Sequence, residues 1–308
     1  MKFVITGGAG FIGSHIAKYL VEKNYGVVIV DNLSRGRLEN LSTIKEQIDF
    51  KKIDILDFNS LKDIISKCDG IFHQAALTSV PESFLQKEKY HNVNVNGTEN
   101  IFKLAKEFKK KVVYASSSSI YGNTTTIPIQ ENFERNPINP YGVTKLDDEK
   151  LAEKYHNLGV SIIGLRYFNV YGIGQTNDYA GVITKFINQI NQNKFPIIFG
   201  DGSQTRDFVS VEDVAKANLL SMESSSNFSF LNIGTGVSIS IKKLAEMMIE
   251  LSRKQLEINF DGLPEGDVKD SLADTTMAKK LINWNYETSL KNGLKKFFFK
   301  NSTNLHKI

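Results

Sequence analysis

One cysteine in 308 residues, Cys68, leaves no partner for an internal disulfide and too few thiolates for a cysteine-only zinc site. No metal site is expected, and Cys68 reads as a small core side chain. Nor is there a run of 18 uninterrupted apolar residues, so no membrane span is expected. From Met1 to Gly7 the chain passes straight into an apolar strand and a glycine turn, which leaves no room for a basic leader segment, and cytoplasm is the expected compartment. Charge of one sign is also missing: 38 basic residues are interspersed with 34 acidic ones for a net charge of +4, with no long basic block, and no nucleic-acid partner is expected. With only 6 prolines and 22 glycines the chain lacks the bias of fibrous or disordered sequences.

What is present is an ordinary globular balance, 41% hydrophobic and 23% charged, on a chain long enough for a large core. Short β-branched runs (Phe3 to Ile5, Val27 to Val30, Ile48 to Ile53, Ile71 to Gln74, Val112 to Ala115, Ser161 to Leu165) alternate with amphipathic stretches (Ile12 to Val21, Leu61 to Ser66, Asn94 to Phe108, Tyr141 to Tyr155). That alternation predicts an α/β fold, a doubly wound parallel sheet of Rossmann type. After about Phe168 the strands shorten (Ile197 to Phe199, Phe208 to Ser210, Phe230 to Ile233, Leu256 to Phe260), which predicts a smaller α+β lobe laid over one end of the sheet. The expected division is 1–168 for a dinucleotide-binding domain, 169–300 for a substrate lobe and 301–308 for a polar tail. Ser210, followed by Glu212 and Asp213, reads as a helix N-terminus, so part of 205–235 is able to return to the first domain.

Thr6-Gly7-Gly8-Ala9-Gly10-Phe11-Ile12-Gly13-Ser14 stands where the first strand meets the first helix. Glycines 7, 10 and 13 permit a tight turn, close approach of backbone to a pyrophosphate, and close helix–strand packing, while the helix N-terminus offers N–H groups to the phosphates. A purely structural turn would carry the same glycines. Asp31, however, ends the next strand at the spacing expected of a carboxylate that accepts ribose hydroxyls and repels a 2′-phosphate, so NAD is favoured over NADP. Arg35 and Arg37 just downstream are either exposed loop residues or a pull toward that phosphate. Asp54 and Ile55 end the third strand, near adenine; an ordinary turn aspartate would look the same.

The fifth strand runs into Ser116-Ser117-Ser118-Ser119, and Tyr141-Gly142-Val143-Thr144-Lys145 follows. Tyr141 and Lys145 share a helix face. In isolation the spacing is equally a structural one; after a dinucleotide turn and a strand-end serine cluster it has chemical meaning. An ammonium near a phenol stabilises the phenolate, which then removes a sugar hydroxyl proton as hydride leaves the same carbon.

Here the sequence resembles the extended short-chain dehydrogenase/reductases, and among them the UDP-hexose 4-epimerases. The likeness runs through the glycine turn, Asp31-Asn32-Leu33-Ser34, His73-Gln74-Ala75-Ala76, Asn94-Val95-Asn96-Gly97-Thr98, the serine cluster, YGVTK, Arg166 to Gly172, Gly200-Asp201-Gly202, Thr205 to Phe208, Asn232-Ile233-Gly234, Gly266-Asp267-Val268 and Ala273-Asp274. The resemblance implies Ser117, Tyr141 and Lys145 as catalytic residues, with Lys145 also holding the nicotinamide ribose. It places Gly7, Gly10, Phe11, Ile12, Gly13, Asp31, Asn32, Asp54, Ile55, Ala75, Ala76, Asn94 and Tyr167 along NAD. Ser119, Asn169, Arg206, Asp267 and Ser271 would meet the UDP-sugar, and the protein would be a homodimer built from two helices per subunit.

Two departures stand out. Pro264-Glu265 replaces an arginine usual before the Gly-Asp pair, and Thr78 stands where relatives carry glycine or lysine. The segment Ser118-Ser119-Ile120-Tyr121 lacks the Asp-Glu pair of the related 4,6-dehydratases, which argues against dehydration. Epimerisation or decarboxylation of UDP-glucuronate is the nearest enzymatic alternative. Binding modules of this fold form another class, but they are able to dispense with the tyrosine and lysine that this chain retains.

Overall fold

Alternation along the first strand sends Phe3 and Ile5 to one side and Val4 to the other, and both sides are buried. The computed structural model describes residues 1–175, 181–262 and 268–299. The chain opens with β1 (Lys2–Thr6), α1 (Phe11–Glu22), β2 (Gly26–Val30), β3 (Ile48–Lys51), α2 (Phe58–Ile65) and β4 (Gly70–His73). Then come α3 (Val80–Leu85), α4 (Lys87–Tyr90), α5 (Gly97–Phe108), β5 (Lys111–Ser117), α6 (Pro140–Asn157), β6 (Ile162–Tyr167) and β7 (Asn169–Tyr171). The remainder is α7 (Val182–Asn191), β8 (Ile197–Phe199), β9 (Thr205–Ser210), α8 (Val211–Glu223), β10 (Phe228–Ile233), β11 (Ser238–Ser240), α9 (Ile241–Ser252), β12 (Asn259–Asp261), α10 (Thr276–Ile282) and α11 (Leu290–Phe299).

Seven strands form one sheet in the order β10-β6-β5-β4-β1-β2-β3, and every pairing is parallel. The expected doubly wound Rossmann-type sheet is therefore present. α1 and α8 cover one face, over Ile5, Ile16, Leu20, Ile29 and Val214; α2, α5 and α6 cover the other, over Val4, Leu61, Ile71, Ile101 and Ala152. Strand order reverses between β1 and β4, so loops diverge there and leave a crevice at the carboxyl ends. Small sheets β11-β9-β7 and β12-β8 flank a separate apolar cluster around Phe186, Ile190, Phe208, Leu244 and Met248. Ser210 caps α8 by accepting from the Asp213 N–H, and β10, which follows, pairs with β6 at the edge of the large sheet.

Two local expectations differ from what is seen. The helix expected from Asn94 starts as a π-helical turn over His91–Asn96, in which Asn94 bonds sideways to Leu77 and Thr144. The strand expected from Leu256 to Phe260 is confined to Asn259–Asp261, whose side chains are all exposed and so gain little by extending the pairing.

α6 is tied to the sheet by charge. Glu149, wholly buried, receives both the Nε and Nη2 of Arg166 at 2.8 Å, the Ser116 hydroxyl at 2.7 Å and Arg135 Nη1 at 3.1 Å. Burial opposes the Arg166 charge, but Glu149 outweighs it and the guanidinium stays protonated. Breaking such a pair from one side strands a buried charge, which costs about 3–5 kcal/mol. Glu149→Ala is expected to lower unfolding free energy by about that amount in urea titrations; a change below ~1 kcal/mol would contradict the role assigned to the pair.

Candidate active site

The β1–α1 turn closes so tightly that only glycine fits. Gly7 has φ +66°, and a Cβ there would lie 2.7 Å from the backbone of Ala75; at Gly13 it would lie 2.3 Å from the Gly7 carbonyl oxygen. No side chain caps α1 at Gly10, and Gly10, Phe11, Ile12 and Gly13 all line a cavity of about 300 Å³. A bare, positively polarised helix end over a glycine cradle suits a pyrophosphate.

At the end of β2, Asp31 is buried, accepting from the Ala9 and Leu33 N–H groups at 3.0 and 2.8 Å. Burial raises its pKa, and those two donors oppose the rise. Asp31, Asn32, Ile55, Ala75 and Ala76 line the adjoining cavity, which shares Gly7, Gly10, Arg35, Gln74 and Ala76 with the first. Asp54 does not line it; its carboxylate holds the Asn32 amide at 2.8 Å. Arg35 is engaged with Glu82 of α3, Nη2 lying 2.8 Å from both carboxylate oxygens, so the ion pair spans from the β2 loop to α3. The trough thus has a phosphate cradle at one end, a ribose-accepting carboxylate at the other and apolar walls between, a shape and chemistry that fit NAD.

Three side chains meet on the other flank of the 300 Å³ cavity. Ser117 ends β5, and its Oγ accepts from the Ser119 N–H and hydroxyl at 3.2 and 2.9 Å. α6 begins with Asn139, whose side chain accepts from Gly142 N–H, and Pro140, whose fixed φ suits the first turn. That start puts Tyr141 and Lys145 on one face, and both line the cavity with Ser117. Lys145 is buried and donates to the Ala115 carbonyl at 3.0 Å and to Asp148 at 3.1 Å. Burial works against its charge, but Asp148, the Tyr141 phenol and Glu149 together hold it above the ordinary lysine range.

Beyond lies a third cavity of about 460 Å³, sharing Val170 and Gln175 with the 300 Å³ cavity and lined by Asn169, Lys185, Phe199, Gln204, Arg206 and Phe208. Arg206 donates to the carbonyls of Thr205 and Lys269, and Asn169 to that of Asp207. Tyr167 lines the 300 Å³ cavity, its hydroxyl bonded to Gln74 and Asn218. Asn94, Ser119 and Ser271 line none of the three. Asn94 is fully engaged by Leu77 and Thr144, Ser119 bonds Ser117, and Ser271 is buried with its N–H on the Thr205 carbonyl. Asp267, Pro264 and Glu265 lie outside the described residues. Sequence reasoning missed Gln74, Asn40 and Gln175 as wall residues; Gln74 alone had a signal, standing at the end of β4 beside Ala75.

A parallel sheet with its crevice at the strand-order reversal, a glycine cradle, a strand-end carboxylate and a tyrosine–lysine pair together define a Rossmann-fold, dinucleotide-dependent enzyme. The chain belongs to the NAD dependent epimerase/dehydratase family, whose family model matches residues 3–234. It is 39% identical over 299 residues to a provisionally named UDP-glucose 4-epimerase of Methanocaldococcus jannaschii, covering 95% of this chain and 96% of that one. It is 36% identical to a UDP-glucuronate 4-epimerase of Thermodesulfobacterium geofontis, covering 96% and 94%. Among solved structures, a UDP-N-acetylglucosamine 4-epimerase from Methanobrevibacter ruminantium M1, in complex with UDP-N-acetylmuramic acid, superposes with a TM-score of 0.93 at 35% identity, covering 98% of each chain.

Asp31 is expected to set the cofactor preference. Asp31→Ser should weaken NAD binding and narrow the gap between NAD and NADP in equilibrium titrations, whereas equal affinities of the unaltered protein for the two would remove Asp31 from that role.

Proposed function

We propose that the chain is an NAD-dependent UDP-sugar 4-epimerase acting on UDP-glucose and UDP-galactose and on their N-acetylated counterparts. The observation that carries this reading is one continuous trough. Its middle cavity holds Ser117, Tyr141 and Lys145 and opens on one side to the glycine cradle and on the other to the cavity of Asn169 and Arg206. A nucleotide diphosphate held by Arg206 and Asn169 would extend its sugar toward the serine, tyrosine and lysine. Bound NAD supplies a hydride acceptor that gives the hydride back, so the reaction is redox-neutral overall.

The residues of the chain handle the proton. The Lys145 ammonium stabilises a Tyr141 phenolate, which takes the C4 hydroxyl proton. Ser117, its Oγ already receiving the Ser119 hydroxyl and N–H, has its own proton free to donate to the sugar oxygen. Once the keto sugar presents its opposite face, Tyr141 returns the proton and C4 is inverted. A second reading, epimerisation or decarboxylation of UDP-glucuronate, draws on Thr78, a hydroxyl-bearing residue that lines the reaction cavity. A panel of UDP-glucose, UDP-galactose, the N-acetylated pair and UDP-glucuronate, with products resolved by NMR, separates these readings. Steady accumulation of NADH would indicate net oxidation rather than epimerisation. The working form we propose is a cytoplasmic homodimer, measurable by light scattering.

Tyr141→Phe is expected to cut turnover by about 10²–10⁴ while leaving NAD bound, because the phenol supplies proton transfer and not affinity. More than about a tenth of the original rate would rule Tyr141 out as the base. For the sugar pocket, Ser271 is assigned the wall beside the C2 substituent. It belongs to the stretch that pairs with β9, next to Arg206. Serine leaves space for an acetamido group, and pocket differences of this scale alter selectivity by about 1–3 kcal/mol, which predicts dual specificity. Ser271→Tyr should abolish turnover of the N-acetylated pair and largely spare UDP-galactose; equal loss on both, or on neither, would remove Ser271 from the specificity argument.

A further inference from the structure

Behind Lys145 lies a carboxylate that the chemistry above does not use. Asp148 is fully buried one turn further along α6, and its Oδ2 accepts from Lys145 Nζ at 3.1 Å. Merely holding the lysine would not require it, since the Ala115 carbonyl already accepts from the same nitrogen at 3.0 Å. A buried anion carries a large desolvation penalty, so its presence calls for a purpose.

A chain of hydrogen bonds runs toward it from the glycine turn and ends at Thr98. The Ala75 N–H donates to Thr6 Oγ1 at 3.4 Å, so the Thr6 hydroxyl proton is available for His73 Nδ1, 2.6 Å away. Burial and the Lys145 charge bring the His73 pKa down to about 3, so the ring carries one proton. With Nδ1 accepting, that proton sits on Nε2 and goes to Thr98 Oγ1 at 2.8 Å. Thr98 stands beside Asp148 and favours its ionised form, while Asp148 Oδ1 itself has no hydrogen-bond partner. Burial still pushes Asp148 up to about 6, with Lys145 and Thr98 pulling it back, and at neutral pH it is an anion.

The groups facing this pair are few. Asp148 has Lys145 and Asp147 on its own helix, Thr98 on α5, His73 on β4 and the buried phenol of Tyr114 on β5. Glu149 is neutralised by Arg166 of β6 and by Arg135, and Glu99 of α5 by Lys103 and Lys154. Asp148 is therefore the one carboxylate within direct hydrogen-bond reach of Lys145 among the described residues.

We propose that Asp148 is a positioning residue that sets the charge of Lys145 and, through it, the acidity of Tyr141, and that the Thr6–His73–Thr98 chain keeps Asp148 ionised. The inference rests on Tyr141 being the base. The sign follows from electrostatics: an anion at Lys145 raises the lysine's affinity for its proton and offsets part of the positive field that Tyr141 feels. Removing it makes both Tyr141 and Lys145 lose their protons at lower pH. A unit charge several ångströms away at an effective dielectric constant of about 20 is worth on the order of one to two pH units.

The test is Asp148→Asn, which keeps the size and a carbonyl for Lys145 but removes the charge, measured on protein purified with its cofactor. Both limbs of the kcat/KM pH profile should move to lower pH by about half a unit or more. The phenol titration assigned to Tyr141, read as the near-ultraviolet difference between each protein and its Tyr141→Phe counterpart, should move the same way. Unmoved limbs with an even loss of rate at every pH would overturn the proposal, because that is what a purely structural role gives. If Asp148→Asn does not fold, Thr98→Val should produce a smaller shift in the same direction, and no shift there overturns it equally. An active Tyr141→Phe would instead fail the reading of Tyr141 as base, whatever Asp148 does.

Discussion

Glu149 and Arg166 meet as a bidentate ion pair sealed from solvent, with one partner on α6 and the other on β6, and Ser116 at the end of β5 joins them. Three elements are thereby held in one register. Tyr141 and Lys145 ride on that helix and Ser117 follows Ser116 on that strand, so the relative placement of the three side chains to which we assign the reaction depends on this contact. A planar guanidinium bonded through two nitrogens resists rotation and sliding better than a point charge would. Arg166 also donates to Tyr121, which bonds Asn232 of β10, so the constraint extends to the edge of the sheet.

The second organising constraint is steric. Around Gly7 and Gly13 backbone meets backbone at distances no side chain allows, which brings the end of β1, the start of α1 and the Ala75 loop into one wall. The same loop carries Gln74, whose amide reaches Tyr167 on one side and Asn218 of α8 on the other. Cofactor trough and reaction cavity are thus parts of one rigid surface at the carboxyl ends of β1, β4, β5 and β6. The segments around β7, β8 and β9 add a further cavity with its own apolar support around Phe186, Phe208 and Leu244.

Much of this was legible in the chain alone, because strand alternation, glycine spacing and a helix face are local properties. Phe3, Val4 and Ile5 define a two-sided strand whatever packs on them, glycines at 7, 10 and 13 define a turn, and Tyr141 and Lys145 four residues apart share a face on any helix. The order of strands was not local, nor was the π-helical turn ahead of α5.

What tertiary structure alone decided is which polar groups meet. Arg35 read as an exposed loop residue, with attraction of a 2′-phosphate as the lesser alternative, and folding sets Glu82, 47 positions away, opposite it. Asn94 carried the same spacing as a cofactor contact, yet its amide is taken up by Leu77 and Thr144, the second of them 50 residues distant. Asp148 carried no signal in the sequence, and only folding showed it to be buried against Lys145. Backbone conformation is set by neighbours in sequence, so motifs reveal it; desolvation and pairing of charge depend on neighbours in space, which no spacing rule encodes.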